Sequence, residues 1–109
     1  MSEINLRDWL PPGSESVAIK GMLLRQYDLA EDLDLLDQDI LELELPDGLK
    51  IDVGWFPEND PTGRFVIRVY RDAITRLLRD PIEEIDPVRV AESVGDLVKQ
   101  FGSPRAKAV

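Results

Sequence analysis

Residues 39–71 read DILELELPDGLKIDVGWFPENDPTGRFVIRVYR, and three strands in a row account for them. In Asp39–Leu45, Leu41, Leu43 and Leu45 alternate with Glu42 and Glu44. In Leu49–Phe56, Leu49, Ile51, Val53 and Trp55 alternate with Lys50, Asp52 and Gly54. In Arg64–Arg71, Phe65, Ile67 and Val69 share one face and Arg64, Arg68 and Tyr70 the other. A period of two is the mark of a half-buried strand, because successive side chains point to opposite sides of the sheet. Pro46-Asp47-Gly48 supplies a tight return between the first two strands, and Pro57–Gly63 a longer surface loop before the third. The pattern predicts a three-stranded antiparallel meander in the order 1-2-3. Trp55 falls on the apolar face and belongs to the core. Phe56 falls on the other face, beside a Pro-rich loop, which makes it a candidate contact residue as well as a candidate for cover by the N-terminal arm.

Working outward, the chain before the meander reads as helix. Ile19, Met22, Leu23, Leu29, Ala30, Leu33 and Leu36 recur at helical spacings within Ser16–Leu36, interrupted by Gln26 and weakened by Gly21. Ser14 or Ser16 would cap its start. The competing reading makes Val17–Leu24 a strand, which would cover an edge of the meander, followed by a shorter helix over about Leu29–Leu36. Residues 1–15 form an irregular arm in which Trp9 either anchors the arm to the core or stands exposed as a partner contact, the anchor being favoured. Behind the meander, Ala73, Ile74, Leu77 and Leu78 suggest a short helix, and Ile82 and Ile85 lie in an acidic linker. Asp86-Pro87 then opens a helix with a capping carboxylate and a first-turn proline. That helix presents Val90, Ala91, Val94, Leu97, Val98 and Phe101 on one side, and Gly102 closes it. Residues 103–109 read as a frayed tail. The fold class is α+β: one domain over residues 1–109, with the N-terminal helical segment and the C-terminal helix packed on one face of the sheet.

Composition narrows the chemistry. The 109 residues include no cysteine and no histidine. Disulfides, thiolate nucleophiles and thiolate metal sites are excluded, and so is the commonest general base. Lack of cysteine favours the cytoplasm. No apolar run is long enough to span a membrane, and the N-terminus lacks a signal-peptide pattern. A formal net charge of −9 argues against nucleic acid and anionic membranes as partners.

The charge is segregated. Asp28, Glu31, Asp32, Asp34, Asp37, Asp39, Glu42, Glu44 and Asp47 fall in a stretch with no lysine or arginine. Arg64, Arg68, Arg71, Arg76 and Arg79 follow with one acid, Asp72, among them. The two segments either face each other, stand as solvated faces, or dock a basic partner or a second copy of the chain. A sheet face on which Arg64 and Arg68 pair with Asp52 or Glu42 is the simplest account of the third strand's arginines. The aspartates of 32–39 lack the glycine and glutamate of a calcium loop. With no histidine or cysteine, catalysis would fall to carboxylates, of which Asp52 and Glu58 near Trp55 are the candidates, and both are expected to be solvated.

These readings lead to a small acidic, non-catalytic module that binds a basic protein and needs no cofactor. Its candidate contact residues are Asp28, Glu31, Asp32, Asp34, Asp37 and Phe56. Small inhibitors of the toxin-neutralising immunity kind have a similar size and charge, an analogy of character and not of motif. The alternative is a homo-oligomeric scaffold in which the first or third strand, as an exposed edge, pairs with another copy. A carboxylate-dependent enzyme ranks last.

Overall fold

The period-two pattern of residues 39–71 closes into hydrogen-bonded strands at the centre of a larger sheet. The computed structural model describes residues 3–14, 16–21, 24, 25, 27–45, 48–71, 77 and 79–101. In chain order the strands are β1 (Glu3–Ile4), β2 (Ala18–Gly21), β3 (Leu24–Arg25), β4 (Leu41–Glu44), β5 (Leu49–Phe56), β6 (Arg64–Arg71) and β7 (Ile82–Glu84). The helix α1 (Pro87–Phe101) follows, and Leu6–Trp9 and Leu33–Leu35 form short 3-10 turns. The main sheet is antiparallel with strand order β2-β4-β5-β6-β7, and β1 pairs with β3 in a separate ribbon. The expected meander is β4-β5-β6. The α+β class holds, but the sheet has five strands and not three.

Two of the corrections fall at the sheet edges. Ser16–Leu36 is not one helix: Ala18–Gly21 is an edge strand on β4, and Leu33–Leu35 is a single 3-10 turn. Gly21 shows why. Its φ is +110°, and a Cβ there would sit 2.5 Å from the Ile40 carbonyl oxygen, so the position demands glycine and a close backbone approach. Ser14 caps no helix, since its hydroxyl donates to the Pro11 carbonyl at 2.6 Å. At the other edge, the expected acidic linker contains β7, with Ile82 opposite Ile67. β4 and β6 are therefore interior strands, and the edges of the sheet are β2 and β7. Of the short helix expected over 73–78, residues 73–76 and 78 lie outside the described residues, and Leu77 forms an isolated bridge with Tyr70.

Register places the apolar side chains in rows on one face. Gly21, Leu41, Val53, Ile67 and Ile82 line up across all five strands, and Ile19, Leu43, Ile51 and Val69 across four. α1 lies over this face and buries Val90, Ala91, Val94, Leu97 and Val98 into the same core. That spacing is the apolar stripe of a surface helix. The helix starts as expected, with the Asp86 carboxylate accepting from the Val88 N–H at 2.9 Å. Burial of each such aliphatic side chain contributes about 1.5–3 kcal/mol, so the sheet–helix interface dominates stability. Trp55 and Phe65 meet edge to face at 5.0 Å in the core, and the Trp55 indole N–H donates to the Asp60 carbonyl.

The N-terminal arm is anchored by Leu6, which is buried, while Trp9 is 39% exposed. Gly95, inside α1, admits the arm: a Cβ there would collide with the Trp9 carbonyl oxygen. A mid-helix glycine costs about 1 kcal/mol relative to alanine, offset here by the backbone contact it permits.

Candidate docking surface

The acidic segment between Tyr27 and Ile40 is a loop built on three buried side chains, Tyr27, Leu36 and Ile40. Much of its charge serves its own backbone. The Asp28 carboxylate accepts from the Ala30 N–H at 2.8 Å, Asp32 from the Asp28 N–H at 2.9 Å, and Asp37 from the Asp39 N–H at 2.9 Å. Short acidic side chains favour such turns because they imitate a backbone acceptor. Asn59 ties the loop to the β5–β6 turn. Its side-chain amide donates to the Leu33 and Leu36 carbonyls at 2.9 and 3.3 Å, and its backbone N–H to the Leu36 carbonyl at 2.7 Å. Asn59 has φ +57°, a left-handed conformation that asparagine tolerates.

Of the six predicted contact residues, Asp28, Asp32 and Asp37 thus have structural work to do. Glu31 and Asp34 are exposed and make no ion pair among the described residues. The same loop exposes Leu29 (43%) and Leu35 (37%), which sequence periodicity had assigned to a helix and to no site respectively. Phe56 is on the sheet's outer face, as read, and half-buried. The Arg68 guanidinium lies 4.4 Å from its ring centroid. Phe56 is not part of the acidic loop.

The outer face carries rows of charge. One row runs Lys20, Glu42, Asp52, Arg68 across β2, β4, β5 and β6; the next runs Ala18, Glu44, Lys50, Tyr70. Lys20 pairs with Glu44 at 3.1 Å, and Lys50 lies between Glu42 and Glu44 at 3.7 and 3.8 Å. Arg64 pairs with Glu83 of β7 at 3.2 Å, not with Asp52 or Glu42. The acids of β4 are thus balanced by the lysines on either side, and β5 lies between β4 and the arginine-bearing β6. The Lys20 contact is the largest of the influences holding the Glu44 carboxyl below its usual range. Exposed pairs of this kind add little to stability.

Asp52 is the exception. It sits in a small cleft of about 220 Å³ whose walls are Lys20 and Gly21 of β2, Asp39 and Ile40 of the loop, and Leu41 and Glu42 of β4. Burial pushes the Asp52 carboxyl up to about 6; Arg68 opposes this, and Asp39 and Glu42 add to it. Asp52 is thus half-buried and not fully solvated. Glu58, its proposed companion, is exposed beyond the end of β5 and accepts from the Gln38 side chain at 3.2 Å, so the two do not form an acid–base pair. The Tyr70 hydroxyl is also raised, first by burial and then by the Asp52 and Glu42 charges. No group of three or more carboxylates that could hold a metal ion occurs among the described residues. Nor, among them, is any helix long and apolar enough to cross a membrane.

Comparison of the chain with protein-family models, with curated proteins and with solved structures gives no match.

Proposed function

We propose that the chain is a non-catalytic binding module whose acidic loop docks a basic protein. One observation carries this reading. Glu31, Asp34 and Asp39 stand exposed without ion-pair partners among the described residues, alongside exposed Leu29 and Leu35, on a loop that Asn59 pins to the neighbouring turn. Exposed apolar side chains among unpaired charges of one sign suit an interface with a charged rim. Pinning lowers the entropy lost on binding.

The test is affinity capture with the native chain and with a Glu31→Gln/Asp34→Asn/Asp39→Asn variant, at low and high salt. A basic protein retained by the native chain at low salt, released at high salt and missed by the variant is the expected result. Equal retention by both chains sinks the reading.

A second reading rests on Asp52, a carboxyl with a raised pKa in a concave site. It would make the cleft a carboxylate-dependent active site with Glu42, its cross-strand neighbour, as the second acid. Turnover of ester, phosphoester or glycoside test substrates that is lost on Asp52→Asn would favour it over docking.

A further inference from the structure

A groove of about 500 Å³ runs between the N-terminal arm and α1. Trp9 and Pro11 form one wall, Glu92, Asp96 and Lys99 the other, and Gly95 lies between them. The arm is held firmly. Leu6 is buried in the core, the Asn5 side chain caps the 3-10 turn by accepting from the Arg7 N–H, and the Arg7 guanidinium donates to the Ser14 and Val17 carbonyls. The Ser14 hydroxyl closes the loop onto Pro11. These bonds hold the arm so that the Trp9 side chain is partly open to solvent, and of its two sequence readings the exposed contact fits better than the buried anchor. Across from it, Glu92 and Asp96 stand one helical turn apart, and neither has an ion-pair partner among the described residues. Like charges at this spacing repel, so both gain from a cation placed between them.

An indole and two unpaired carboxylates in a preorganised frame match one chemistry. A guanidinium stacks on an aromatic ring and donates to carboxylates at the same time, and it does both better than an ammonium. Lys99 also lines the groove. We propose that this groove receives an arginine side chain from an extended segment of a basic partner protein, with the guanidinium against Trp9 and between Glu92 and Asp96. The partner class rests on the docking reading above. The groove shares no residue with the acidic loop and belongs to the helix layer.

The test uses the full chain and a blocked Gly-Arg-Gly-Arg-Gly peptide, followed by the two indole N–H resonances in NMR. Trp9 is exposed and Trp55 buried, so the groove reports through one of them. A saturable shift of the Trp9 resonance is expected, several-fold weaker with the lysine peptide and about tenfold weaker in Glu92→Gln/Asp96→Asn, as loss of a charge-assisted contact implies. The Glu31→Gln/Asp34→Asn variant should bind the peptide as the native chain does, even if it has lost its partner. No saturable shift up to about 5 mM peptide, a weak-binding limit, overturns the proposal. So does unchanged affinity in the Glu92/Asp96 variant, or loss confined to the acidic-loop variant. The first two results would leave the loop reading standing, and the last would support it.

Discussion

Replacing Asp52 by asparagine should stabilise the protein at neutral pH. The Asp52 carboxyl moves from an ordinary value of 3.8 to about 6 on folding, chiefly through burial beside Glu42 and Asp39. A carboxyl that ionises less readily in the folded chain than in the unfolded one lowers stability above its folded pKa, and the deficit fades as pH falls toward the unfolded value. Roughly two pH units correspond to about 3 kcal/mol without screening, and the side chain is partly exposed, which brings the effect to about 1–2 kcal/mol. Asparagine keeps the shape and removes the charge. Urea denaturation followed by tryptophan fluorescence would measure both chains from pH 7.5 to 4.5. The variant should be more stable at pH 7.5 by about 1–2 kcal/mol, and the native chain should recover about half of that gap by pH 4.5. Below about pH 4.5 both chains should weaken, because the lowered Glu44 and Asp60 carboxyls then take up protons and their folded-state contacts with Lys20 and Thr62 are lost. A variant no more stable than the native chain at pH 7.5, with the same pH profile, refutes the assignment of a dehydrated carboxylate at this position.

Asn59→Ala should cost about 1–3 kcal/mol, since it removes the loop tie and leaves alanine at a left-handed φ; Asn59→Gly should restore only the backbone part, as thermal melts would show. Gly21→Ala should cost about 1–3 kcal/mol for its φ alone, with further loss from the clash at Ile40, and amide exchange should show β2 detached. A double-mutant cycle on Phe56→Ala and Arg68→Ala should return a coupling of about 0.5–1 kcal/mol by urea denaturation; zero coupling would mean that the stacked geometry carries no energy.

The parts legible in the sequence were those where pattern and local chemistry agree. β5 and β6 occupy the residues that alternation marked, and α1 begins where Asp86-Pro87 announced it. The misread parts have particular causes. Ile19, Leu33 and Leu36 fall at helical spacings by coincidence: Ile19 faces the sheet core, while Leu33 and Leu36 fill a loop interior. The competing strand reading of Val17–Leu24 was the nearer one, and a four-residue edge strand is too short for period-two counting to prefer it. β7 was hidden because Glu84 takes an inner-face position at the sheet rim, opposite Phe65, and breaks the alternation. Within the acidic segment, the spacing of two between Asp37 and Asp39 was a visible turn signal, and it separates capping carboxylates from free ones. The cleft needed tertiary information. The hairpin register sets Asp52 against Glu42, but Asp39 and Gly21 reach it only through the long connection from β2 to β4.

That connection gives β2 a special standing. β4, β5 and β6 follow one another through short returns, whereas β2 reaches its neighbour across residues 22–40 and pairs with it over four residues. A short edge strand on a long connection is the kind of element expected to open locally, below the free energy of global unfolding. Because Lys20 and Gly21 are also walls of the Asp52 cleft, the cleft exists only while β2 is seated. A group bound there must slow amide exchange in β2, whereas one bound beneath Trp9 leaves that rate untouched, so β2 acts as a built-in reporter of which surface is occupied.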